Sequence, residues 1–109
     1  MKKLDKPMDF LESIRSRPGL FWGGGPYPFT SLVAFLAGYK IAFDITTRTG
    51  IAPTSLLPEG FNSFVGEQLG LGSQIGGHDW ASLIREKTAS EEEAFDLFFQ
   101  LRIRYESEN

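Results

Sequence analysis

Leu32, Phe35, Leu36, Tyr39 and Phe43 stand at positions i, i+3, i+4, i+7 and i+11 of one uninterrupted run. That spacing lines five large apolar side chains along one face of a helix, whereas a half-buried strand would need alternation. Val33 and Ile41 widen the face, Thr30 or Ser31 is suited to cap its start, and Gly50 ends it. Gly38 weakens such a helix but suggests the close approach of a neighbouring element.

The same period recurs between glycine and proline breaks. Asp5 to Arg17 reads as a helix with Phe10, Leu11 and Ile14 on one stripe, Pro7 in its first turn and Pro18-Gly19 as its stop. Phe61 to Leu69 places Phe61, Phe64, Val65 and Leu69 on one face, although Gly66 weakens it. Asp79 caps a fourth segment that reaches Lys87, with Trp80, Leu83 and Ile84 inward. Ser90-Glu91-Glu92-Glu93 opens the fifth as a capping box, in which Ser90 and Glu93 satisfy each other's backbone amides. Ala94, Leu97, Phe98 and Leu101 follow, and Phe95, Phe99, Ile103 and Tyr105 make that helix apolar over most of its circumference. Arg102 and Arg104 suit its C-terminal dipole. No run alternates over strand length. The expected fold is all-α: a compact single-domain bundle of four or five helices over residues 1–109, with Gly/Pro-rich connecting loops and with 1–4 and 106–109 frayed.

Between the first two segments lies Leu20-Phe21-Trp22-Gly23-Gly24-Gly25-Pro26-Tyr27-Pro28-Phe29. Glycine and proline disfavour regular structure here while four rings seek burial, so a loop pinned to the core by its aromatics is expected. Trp22 is its natural anchor.

Composition removes several classes of function. With no cysteine there are no disulfides and no thiolate metal sites. Lys2, Lys3 and Lys6 carry the charge of a signal-peptide start, but no apolar stretch follows, and a cytoplasmic home is expected. The longest uncharged stretch, Pro18 to Tyr39, is too broken by proline and glycine to span a membrane. The net charge of −3 conceals an asymmetry: residues 1–50 carry seven Lys/Arg against four Asp/Glu, and residues 51–109 carry four against ten. The chain lacks the basic patch that nucleic acid requires, and its acidic half suits a basic protein partner.

No motif announces catalysis. Gly70-Leu71-Gly72-Ser73-Gln74-Ile75-Gly76 has dinucleotide-loop spacing, yet a helical segment precedes it where a strand is needed. Gly23-Gly24-Gly25 leads into a helix start that offers free amides, but no Gly-Lys-Ser/Thr follows, so a nucleotide loop is incomplete. His78, the one histidine, neighbours Asp79, and Ser63, Ser73 or Ser82 would be the serines available to it. No nucleophile-elbow pattern accompanies them. A histidine in a loop before a helix cap is the simpler reading, and no cofactor, metal or catalytic residue is assigned.

Arg17-Pro18-Gly19-Leu20-Phe21-Trp22-Gly23, Ser31 to Tyr39, Gly60-Phe61-Asn62-Ser63-Phe64-Val65, Trp80 to Ile84 and Ser90 to Phe95 together resemble a family of small bacterial proteins with an Arg-Pro-Gly-aromatic start. Its members have no assigned activity. In size and acidic, cofactor-free character they are similar to immunity proteins, which neutralise a toxin by binding it. The resemblance therefore implies a non-catalytic binding protein whose partner is a basic toxin domain. Trp22, Tyr27, Glu91, Glu92 and Asp96 are the candidate contact residues. Two alternatives stay open: a small enzyme using His78 with a carboxylate, and a structural homo-oligomer, a homodimer being its simplest form.

Overall fold

A computed structural model describes residues 7–48, 57, 60–70 and 79–108. The described residues form six α-helices and no strand. The protein is all-α. The chain divides into two units, Met1–Leu57 and Pro58–Asn109.

The first unit holds α1 (Pro7–Ser16), α2 (Gly19–Trp22) and α3 (Pro28–Arg48). Leu11 and Ile14 of α1 and Leu32 and Leu36 of α3 are buried and Phe10, Phe35 and Tyr39 half-buried, so the described members of the predicted stripes face inward, and Phe29 is buried as well. Phe10 of α1 lies within 6.4 Å of Phe35 and 6.1 Å of Tyr39, centroid to centroid, which ties the two helices together. The helix α2 falls where a loop was expected. Pro18 supplies a pre-set helical φ of −59°, and its carbonyl accepts from the Phe21 amide at 2.9 Å. Gly23 closes the turn at φ +79°, donating its N–H to the Gly19 carbonyl at 2.9 Å. A single turn thus forms where composition argued against one.

The longer helix begins earlier than its hydroxyl residues suggested. Pro28 takes the first helical position, where its missing N–H costs nothing, and Ser31 N–H donates to the Tyr27 carbonyl at 3.0 Å. Thr30 and Ser31 are therefore inside α3 and do not cap it. Two further expectations for this helix fail. Ile41 does not widen the buried face but is 62% exposed, and Gly38 is exposed with no described atom within 4 Å of where a Cβ would stand. Gly38 accommodates no close neighbour among the described residues. The side chain of Phe43 lies outside the described set.

The second unit comprises α4 (Phe61–Gln68), α5 (Trp80–Lys87) and α6 (Glu91–Glu108), each packed against the other two. Phe61, Val65, Leu83, Ile84, Phe98, Phe99 and Leu101 form its buried interior. Phe61 sits at the centre of a ring cluster, with Trp80 at 5.9 Å, Phe98 at 5.8 Å and Tyr105 at 6.1 Å. Most of the apolar circumference of α6 is consumed in this way, because α4 and α5 both lie on it.

Of the three predicted caps, the two in this unit form, one with a change. Asp79 accepts from the Ser82 amide at 2.8 Å. Ser90 Oγ accepts from the Glu93 amide at 3.1 Å, but the Glu93 carboxylate reaches the Ala89 amide at 3.1 Å, one residue before the expected return bond. Helix α6 extends through Glu106, Ser107 and Glu108. That extension leaves no basic residue in its last turn, so Arg102 and Arg104 do not serve the dipole there. Instead Arg104 donates to the Gln68 side chain of α4 at 2.7 Å, and Arg102 is buried.

Candidate functional site

The five candidate contact residues fall into two groups, one in each unit. In the first unit, Trp22 is half-buried with its ring 6.2 Å from Phe35, and Phe21 makes an edge contact with the same ring at 5.6 Å. Trp22 is thus a partly buried anchor. Tyr27 is 62% exposed, so only part of the aromatic segment folds back. The division has a geometric cause. Successive residues of a helical turn point about 100° apart, so turning Phe21 and Trp22 toward Phe35 swings Leu20 outward, where it is 74% exposed. Sequence reasoning passed over Leu20, because its exposure depends on α2 being helical.

Between Leu20 and Tyr27, Gly23, Gly24 and Gly25 take φ of +79°, +83° and +117°. Side-chain-bearing residues rarely adopt three such angles in succession. The glycines set the course of the turn that separates the two exposed side chains. Among the described residues, the exposed large apolar side chains are Leu20, Tyr27, Ile41, Ile45 and Ile103, and only Ile103 belongs to the second unit.

In the second unit, Glu91, Glu92 and Asp96 lie on the first turns of α6. Glu92 and Asp96 are exposed and four residues apart, hence on one face, and Glu91 is half-buried. Glu93 is exposed too, but its carboxylate is engaged at the Ala89 amide. The negative charge is therefore held at the positive end of a helix dipole, where it is stabilised and still faces solvent.

The possible catalytic groups separate differently. His78 and Ser73 lie outside the described residues, while Ser63 and Ser82 are exposed. Asp79, the carboxylate beside His78, is committed as the cap of α5: the Ser82 amide donates to it, and this bond more than any other holds its pKa below 3.8, with the Ser82 hydroxyl and nearby Arg85 adding to the effect. Asn62 of α4 completes the arrangement by accepting from the Trp80 amide at 2.9 Å. This corner thus satisfies the start of α5. Among the described residues, no three His, Asp or Glu side chains gather where a metal ion could be held.

Arg102, the most buried charge among the described residues, was read in the sequence only as a helix-end residue. Arg102 is only 3% exposed; its guanidinium donates to Glu106 at 2.8 Å and lies 5.8 Å from the Tyr105 ring centroid. The pair is i, i+4 on one helix, with the Arg102 side chain buried and the side chain of its partner Glu106 56% exposed, so the buried cation is paired and not left uncompensated. This is a structural role.

No family model, curated protein or solved structure matches the chain. Among the described residues, no helix is long and apolar enough to cross a membrane.

Proposed function

We propose that the protein is a non-catalytic, cytoplasmic binding module that occupies the surface of a basic protein partner, in the manner of an immunity protein blocking a bacterial toxin. The observation that carries this reading is the exposure of Leu20 and Tyr27 on either side of the three-glycine turn. Single exposed apolar residues are ordinary on protein surfaces. Here two large ones flank a turn whose course is set by its glycines, next in sequence to a half-buried tryptophan, in the unit that also exposes Ile41 and Ile45. Such a concentration suits association, which removes the apolar surface from water. Tyrosine and tryptophan are also the residue types most often found to dominate binding energy. Glu91, Glu92 and Asp96 supply the complementary element, a field that attracts a basic partner.

Affinity capture from a bacterial lysate tests the reading, comparing the wild-type chain with Leu20→Asp/Tyr27→Asp. A basic protein retained by the wild type and lost by the variant, with helical circular dichroism unchanged, supports it. Growth rescue on co-expression with that protein would identify the partner as a toxin. Equal retention by both chains, or self-association alone in sedimentation, would overturn it.

A further inference from the structure

We draw no further inference here: the strongest candidate, the outward stripe of α3 formed by Ala34, Ala37, Gly38, Ile41 and Ile45, is an exposed apolar helix face, and nothing in the structure shows what covers it.

Discussion

Gly23 and Gly38 share one property and differ in another, and the pair isolates backbone strain from packing. A Cβ added at either meets no described atom within 4 Å, but Gly23 sits at φ +79° whereas Gly38 is an ordinary helical residue. Gly38→Ala should therefore stabilise the protein by about 0.5–1 kcal/mol through helix propensity. Gly23→Ala should destabilise it by about 1–3 kcal/mol, because alanine pays for a left-handed backbone. Denaturant melts of both variants check the signs. Asp79 offers a second test at this scale. Its folded pKa is depressed below 3.8, chiefly by the Ser82 amide, so its charged-cap stabilisation is fully present above the unfolded pKa. That contribution is lost as pH falls through the folded pKa. Asp79→Asn retains a capping oxygen without the titration, so its stability gap from the wild type should hold steady near neutrality and narrow below about pH 4. A gap independent of pH throughout would contradict the assigned cap charge. The Asp79 and Ser90 caps were legible in the sequence because a cap depends on residues only three apart. The exposure of Gly38 was not, since it depends on what the rest of the chain leaves uncovered.

The helices themselves were readable wherever large apolar residues recur at three and four, as with Leu32 and Leu36 in α3 or Trp80, Leu83 and Ile84 in α5. Reading failed where position within the helix mattered. Ile41 fits the apolar arc on paper but points to solvent, and Arg102 looked terminal because the length of α6 was underestimated. The short α2 was missed because the glycines and prolines that follow it argue against helix, while the closing bond from the Gly23 amide cannot be seen in composition. Within the second unit, the cluster around Phe61 predicts a large response to truncation. Phe61→Ala should cost about 3–5 kcal/mol, as is usual for a fully buried aromatic. Trp22→Ala in the first unit should cost clearly less, since its ring is only half-buried. Thermal melts that ranked the two in the opposite order would refute the burial pattern described for these helices.

For the whole molecule, the proposed division of labour is that exposed apolar groups hold the partner while acidic ones speed its approach. Reversing Glu91 and Glu92 to lysine should slow association and flatten its dependence on salt, with a smaller effect on dissociation. Glu93 is left intact in that variant because its bond to the Ala89 amide belongs to the helix start. Stopped-flow association at several salt concentrations reads this directly, and rates indifferent to both charge reversal and salt would count against electrostatic attraction. The charge asymmetry behind it and Tyr27 as a contact residue were visible in the sequence; the exposure of Leu20 was not, because it depends on α2 being helical. The most direct test of binding through these two residues is the Kd of Leu20→Ala/Tyr27→Ala for the captured partner, measured by calorimetry beside the wild type. With each side chain contributing about 1–2 kcal/mol, the double variant should bind roughly 30-fold to 1000-fold more weakly at unchanged melting temperature. A Kd within about threefold of the wild type, a difference below 1 kcal/mol, would contradict the account.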